Sequence, residues 1–266
     1  MDFKPYIRAH ADELLQSLAA LIRIPSVEGT PEAGAPYGRE VARCLHETLA
    51  LCERLGFPTV NMDDRVGWCE YGKGEEMIAV LGHLDVVPAG DGWNAAAPFS
   101  GEVKDGRIYG RGTMDDKGPT VAALYALAAL KDAGFIPSRR IRILFGTNEE
   151  TGCDDMAWYL AHGGETPVMG FTPDGEYPII NGEKGIMNCV YSRRLEQTGP
   201  CRLLRFEGGT AANVSPAYAM AELACPADAA ARIQASKVTV TPIEGGIRVE
   251  AQGVSVHGST PEQGEN

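Results

Sequence analysis

The sequence has 266 residues, of which 44% are apolar and 23% charged, and its formal net charge at pH 7 is −12. This composition supports a sizeable core and excludes intrinsic disorder, while the negative charge argues against nucleic acid or an anionic membrane surface as a main partner. No stretch reaches the ~20 apolar residues of a bilayer-spanning helix, and residues 1–24 lack the pattern of a secretory signal. The seven cysteines are scattered without a CxxC pair, which is typical of reduced thiols in the cytoplasm.

The first half of the sequence alternates helix and strand patterns. Apolar residues at helical spacing predict helices over residues 5–23 and 38–55. A short apolar run at 77–81 is typical of a buried parallel strand, and it is followed by a helix rich in alanine and leucine at 121–133. Another apolar run at 141–145 predicts a second buried strand. The alternation predicts an α/β fold, with a mostly parallel sheet flanked by helices.

Shorter elements follow beyond about residue 185. Residues 217–224 and 227–235 have the composition of helices. Alternating segments predict strands at residues 190–191, 203–206, 237–241 and 247–251. We interpret residues 1–184 as the first domain and residues 185–266 as the start of a second, α+β domain.

Two acidic motifs in the first domain are candidates for chemistry. His83 and Asp85 directly follow the predicted strand at 77–81, where ligands of open α/β sheets collect. Residues i and i+2 of an extended segment point the same way, so the carboxylate could orient the imidazole of a metal ligand. Asp115 and Asp116 precede the helix that follows them, and the structural alternative is that Asp116 caps this helix.

Two further acidic motifs lie at strand ends or turns. Glu149 and Glu150 follow the predicted strand at 141–145, and Asp174 lies in a Pro-Asp-Gly turn. One glutamate could bind a metal while the other acts as general base. Histidine with several carboxylates, without cysteine, suits zinc, manganese or cobalt in a catalytic site, and several carboxylates permit a bridged metal pair. The residues alone therefore favour a metal hydrolase, while a set of caps and solvated turns is the structural alternative.

Four motifs carry a resemblance to a known family. The segments GHLDVVPAG (82–90), GRGTMDDKGP (110–119), NEETG (148–152) and TPDGEYPIINGEKG (172–185) resemble those of the co-catalytic zinc exopeptidases. That family includes aminoacylase, carboxypeptidase G, acetylornithine deacetylase and the peptidase V type of dipeptidase. The sequence of these segments is most similar to that of the peptidase V dipeptidases. The resemblance implies that residues 1–184 are the N-terminal part of a zinc-binding catalytic domain and that residues 185–266 are the first part of a smaller lid domain.

The resemblance also implies a role for each acidic motif. His83 would bind one zinc ion, Asp115 would bridge two, and Asp174 would complete the first site. Glu150 would bind the second ion. Glu149 would be the base that takes a proton from the attacking water. Two zinc ions are expected in the intact site, with manganese or cobalt as possible substitutes.

Supporting roles follow from the same resemblance. Asp85 would orient His83, and the Asp115–Asp116 peptide bond is expected to be cis. In the lid, Gly208–Asn213 resembles the family's substrate-contacting segment, with Asn213 as the contact. The stretch that begins at Val256 resembles the segment whose histidine, here His257, helps to stabilise the oxyanion.

One element of the family pattern is missing. The second zinc of the family takes a last histidine from near the C-terminus of a longer chain, and His10, His46 and His162 do not match that position. The final residues, 261–266, have the composition of a loop that leads into a helix. We therefore expect this sequence to be an N-terminal portion with weakened activity.

The function implied by the resemblance is hydrolysis of dipeptides or short unblocked peptides, with a small peptide as the partner. The alternatives are an N-acyl amino acid deacylase of the same family and a non-catalytic fragment.

Overall fold

The computed structural model describes residues 2–90, 92–175, 178–182, 184–209, 211–226, 228–233 and 237–265. The chain divides into two compact units, Met1–Ile180 and Asn181–Asn266. The assignment of residues 185–266 as the first part of a lid domain stays a prediction. Within the described residues, none of the helices combines the length and hydropathy needed to cross a membrane.

The first unit contains five helices and seven strands among its described residues. The helices are α1 (Lys4–Ala9), α2 (Ala11–Ile22), α3 (Arg39–Arg54), α4 (Lys117–Asp132) and α5 (Asp154–Ala161). The strands are β1 (Thr59–Met62), β2 (Val66–Tyr71), β3 (Met77–His83), β4 (Glu102–Lys104), β5 (Arg107–Tyr109), β6 (Arg140–Gly146) and β7 (Met169–Phe171).

Five of these strands form one mixed sheet in the order β1-β2-β6-β3-β7. Strand β3 pairs in parallel with β6 on one side and with β7 on the other. The pairs β1–β2 and β2–β6 are antiparallel. The prediction of an α/β fold is confirmed, and its parallel part is the half of the sheet that contains β6, β3 and β7.

Both faces of this sheet are covered, which explains why β3 and β6 read as continuous apolar runs. Val80 and Ile143 face the large core that α2, α3 and α4 build on one side. Ala79 and Leu144, one residue along each strand, face the opposite side and pack with Tyr159 of α5. Alternation along each strand therefore supplies two cores from one apolar segment.

Two helix boundaries differ from the prediction. The helix expected over 5–23 breaks at His10, which ends α1 and begins α2. The imidazole of His10 hydrogen-bonds to Asp132 of α4 at 2.7 Å, so the break coincides with a tertiary contact. Helix α4 begins at Lys117, two residues before Pro119. Proline is tolerated there because the backbone nitrogens in the first turn of a helix have no acceptor within the helix.

The second unit is built on an antiparallel sheet in the order β10-β11-β9-β8. Its strands are β8 (Arg202–Gly208), β9 (Tyr218–Ala224), β10 (Val238–Ile243) and β11 (Gly246–Gln252), and short 3₁₀ turns lie at Ala229–Arg232 and Pro261–Gln263. Three predicted strands lie largely within β8, β10 and β11. Residues 190–191 lie in no strand of the described chain.

Both helices predicted in the second unit are wrong. Residues 217–224 form strand β9, which pairs with β8 on one edge and with β11 on the other. The two hydrogen-bonded ladders outweigh the helical propensity of the alanines. Of residues 227–235, only Ala229–Arg232 is helical, as a single 3₁₀ turn; Ala227, Gln234 and Ala235 lie outside the described residues.

Candidate metal centre

Five side chains of the first unit converge at the carboxyl ends of β3, β6 and β7. His83 is the last residue of β3, Glu149 and Glu150 follow β6, and Asp174 follows β7. Asp115 lies two residues before α4, the helix that follows β5 and packs on β3. Because β3, β6 and β7 are parallel, their ends meet at one edge of the sheet, where ligands of open α/β sheets bind.

The imidazole of His83 lies at the centre of this group. Its Nε2 is 2.9 Å from Oδ1 of Asp115 and 3.5 Å from Oδ2 of Asp174. The same nitrogen is 3.9 Å from Oε2 of Glu149. Two sets of three potential ligand atoms lie within 4.8 Å of one another: His83, Glu149 and Asp174 in one, and His83, Asp115 and Glu150 in the other. The structure thus brings together every residue that the sequence predicts as a metal ligand, with Glu149 among them.

Asp85 fixes both His83 and the glutamate turn. The Nδ1–H of His83 donates to the backbone oxygen of Asp85 at 3.1 Å, and a carboxylate oxygen of Asp85 is 3.3 Å away. In the neutral imidazole, the form that binds a metal, this contact places the proton on Nδ1 and leaves Nε2 to face the cluster. The Asp85 carboxylate also accepts the backbone N–H groups of Glu149 and Glu150, at 3.2 and 3.0 Å. The expected orienting role has a matching geometry, and the second role was not predicted.

Asp116 does not cap α4 through its side chain, contrary to the structural alternative considered for it. One carboxylate oxygen accepts the backbone N–H of His83 at 3.2 Å and the hydroxyl of Thr120 at 2.9 Å. The other oxygen is buried and has no hydrogen-bond partner among the described residues. A Cβ at position 82 would lie 2.0 Å from the Thr120 hydroxyl oxygen. Only glycine at this position therefore leaves room for the hydrogen bond from Thr120 to Asp116. The Asp115–Asp116 peptide bond is cis, as expected.

Two buried charged residues that support the site were not predicted. The Asp155 carboxylate accepts the backbone N–H groups of Thr147 and Asn148, at 2.6 and 3.1 Å, and so holds the start of the glutamate turn. The Lys117 ammonium donates to the backbone oxygens of Leu21 and Ile24, at 3.0 and 2.8 Å, near the end of α2. Their partners are backbone groups, which a sequence pattern does not display.

The electrostatics of the cluster reflect an excess of negative charge. Burial raises the pKa of Glu149, and burial together with the Asp115 charge raises the pKa of Glu150 to about 7. Burial acts to lower the pKa of His83, but its contacts with Asp115 and Asp85 outweigh this and raise the pKa to about 11. Carboxylates and one imidazole nitrogen, with no thiol, form a donor set that suits zinc or manganese. A divalent cation would relieve the repulsion among these carboxylates, so the residues fit a metal.

Asn213 and His257 lie next to each other in the second unit. The backbone oxygen of Asn213 accepts the N–H of Gly258 at 2.6 Å. The Nδ1 atom of His257 accepts the backbone N–H of Ser259 at 3.2 Å. In the neutral imidazole the proton is therefore on Nε2, and the exposed ring offers a hydrogen-bond donor. Thr210 and Asn266, which belong to the same motifs, lie outside the described residues.

Comparison with known proteins identifies the family of the chain. The model of peptidase family M20/M25/M40 matches residues 79–256. The chain belongs to this family. This M20 chain is 37% identical to the Beta-Ala-Xaa dipeptidase of Lactobacillus delbrueckii subsp. lactis, in an alignment that covers 100% of the chain and 59% of the relative. It is 41% identical to the putative dipeptidase YtjP of Bacillus subtilis, over 85% of the chain and 50% of the relative.

A solved structure shares the fold of the M20 chain. The crystal structure of human carnosine dipeptidase 1 matches with a TM-score of 0.57 and 24% identity, over 66% of this chain and 41% of that one. The chain thus spans between about half and three fifths of the length of the two relatives it matches by sequence.

Proposed function

We propose that the protein carries the metal centre of a zinc-dependent dipeptidase, which hydrolyses the peptide bond of dipeptides or short unblocked peptides. The observation that carries this proposal is the convergence of one imidazole and four carboxylates at the ends of three parallel strands. Membership of the M20 family supports hydrolysis of an amide bond, and relatives named as dipeptidases support the substrate class.

The ligands divide between two ions in the proposed site. His83 and Asp174 would hold the first ion, Glu150 would hold the second, and Asp115 would be shared between them. When bound, zinc supplies a Lewis acid that polarises the substrate carbonyl and acidifies water. Asp85 keeps the His83 proton on Nδ1, so that Nε2 stays available as a ligand.

Glu149 is the proposed general base. Its carboxylate lies at the edge of the cluster, and about half of its side-chain surface is exposed, so both water and substrate can reach it. One of its oxygens takes a proton from the attacking water and then delivers it to the nitrogen of the leaving amine. The backbone N–H of Glu149 is fixed by Asp85, which holds the turn in place during both transfers.

Two residues of the second unit are proposed to contact the substrate. His257 would donate Nε2–H to the developing oxyanion, and its hydrogen bond from Ser259 supports the required tautomer. Asn213 would bind a polar group of the peptide.

Glu149→Gln tests the proposal, because the geometry permits Glu149 to be either a base or a ligand. As a base, its replacement lowers the rate of dipeptide hydrolysis by about 10²–10⁴-fold and leaves the zinc content unchanged. Asp154→Asn is the control, since it removes one exposed carboxylate from the nearby start of α5.

A loss of zinc in Glu149→Gln would make this residue a ligand, and unchanged hydrolysis would remove it from the mechanism. Faster cleavage of N-acyl amino acids than of dipeptides by the unmodified protein would favour the deacylase instead.

A further inference from the structure

A pair of cysteines lies at the open end of the hairpin formed by β8 and β9. Arg202 of β8 is paired with Ala224 of β9, so the next residues outward, Cys201 and Cys225, face each other across the two strands. Burial and the neighbouring Cys201 thiol raise the pKa of Cys225, which agrees with this placement. Directly opposed residues of an antiparallel pair have Cα atoms about 4.5–5.5 Å apart, and disulfides need about 4.4–6.8 Å. Continued by one residue beyond the Arg202–Ala224 pair, the register gives the two cysteines a separation in the range of a disulfide.

The pair is also accessible. Cys201 is exposed and Cys225 is half-buried. Both border a cavity of about 280 Å³, which is lined by Leu223 and Ile247 on the sheet and has Arg232 in its wall. A small molecule can therefore reach Cys201 from solvent more readily than it can reach Cys225.

We propose that Cys201 and Cys225 form a thiol–disulfide exchange site, in which a low-molecular-weight disulfide oxidises the pair to a disulfide that ties β8 to β9. The thiolate of Cys201 attacks one sulfur of the small disulfide, forms a mixed disulfide and releases one small thiol. The thiolate of Cys225 then attacks the Cys201 sulfur and releases the second small thiol. Two protein thiols and one small disulfide thus become one protein disulfide and two small thiols, and the two protons pass to the released thiolates.

This reaction would act on a segment with a proposed role in substrate binding. Residues 209–217 connect β8 to β9 and contain Asn213, at the end of the hairpin opposite the cysteines. A covalent bond at the open end restricts the separation and sliding of the two strands that position this connection. The exchange reaction itself does not depend on the proposed peptidase activity.

The chain contains a matched control pair. Cys52 of α3 and Cys69 of β2 belong to one core cluster, and the Cys69 thiol raises the pKa of Cys52, but both residues are fully buried in the first unit. Proximity without access predicts that this pair stays reduced in the folded protein. Cys153 is exposed and serves as a control for access alone, because it is expected to form a mixed disulfide with the small molecule and no cross-link.

The test treats the metal-loaded protein with oxidised glutathione under native conditions, followed by acid quenching, alkylation and peptide mass mapping. We expect a cross-linked peptide that joins Cys201 to Cys225 and has lost two hydrogen atoms in mass. Cys52 and Cys69 are expected to be recovered as alkylated thiols, and to cross-link only after denaturant is added.

Serine variants test the order of the two steps. In Cys225→Ser the cross-link is lost and glutathione accumulates on Cys201, whereas in Cys201→Ser the cross-link is lost and Cys225 gains little adduct. The proposal is overturned if the unmodified protein carries a stable glutathione adduct on Cys201 without a cross-link. It is equally overturned if both thiols remain fully alkylatable while Cys153 is modified.

Discussion

Replacing Asp155 with alanine is expected to destabilise the protein by about 2–6 kcal/mol. The carboxylate of Asp155 is 1% exposed and accepts the backbone N–H groups of Thr147 and Asn148, which are themselves buried. Alanine leaves both buried donors without an acceptor, each at a cost of about 1–3 kcal/mol, and it also removes the acceptor of the half-buried Met156 N–H. Water entering the space left by the carboxylate would bring the loss toward the lower limit.

Urea unfolding of the metal-free protein measures this loss, because metal binding would otherwise add to the stability of the folded state. Tryptophan fluorescence is a suitable probe, since Trp158 lies in α5, the helix that begins at Asp154. Asp154→Ala is the matched control: this neighbouring carboxylate is exposed, and its favourable contact with the helix N-terminus contributes only about 0.3–1 kcal/mol. Equal unfolding midpoints for the two variants would refute the anchoring role of Asp155.

Three further predictions concern Gly82, Glu165 and the proposed metal site. Gly82→Ala places a Cβ 2.0 Å from a threonine hydroxyl and is expected to cost about 1–3 kcal/mol or more, whereas Gly185→Ala, with nothing within 4 Å, stays close to the parent in urea unfolding. The Arg140 guanidinium holds the pKa of Glu165 below its ordinary value of 4.5, so the unfolded chain binds more protons below that pH and stability falls as the pH falls. Glu165→Gln should flatten this acid limb in pH-dependent unfolding of the metal-free protein, and an unchanged limb would contradict it. Zinc at a hundred times its Kd should stabilise the protein by about 2.7 kcal/mol, and His83→Ala should abolish this gain in thermal unfolding.

The position of the metal centre could be predicted from the sequence because its signals are local. Strands β3 and β6 are buried on both faces and therefore read as apolar runs. The polar residues that directly follow such strands, His83 and Glu149 among them, must lie at one edge of the sheet when the strands are parallel. The functional roles of the individual carboxylates came from the resemblance to a family, and they stay predictions.

The supporting contacts could not be predicted, for physical reasons. Asp155 and Lys117 bind backbone groups, which any residue type can supply, and the partners of Lys117 lie far away in the sequence, near the end of α2. Asp116 precedes a helix, as a cap does, but its carboxylate instead reaches the backbone of His83. Strand β9 is rich in alanine, so its period-two pattern is weak, and only pairing on both edges fixes it as a strand.

Anomalous diffraction at the zinc edge from zinc-loaded crystals would locate the proposed ions. We predict a peak within about 2.0–2.2 Å of Nε2 of His83, shared with the carboxylates of Asp115 and Asp174. Zinc bound elsewhere, or a strong peak at the cysteines with no peak beside His83, would contradict the proposed metal centre.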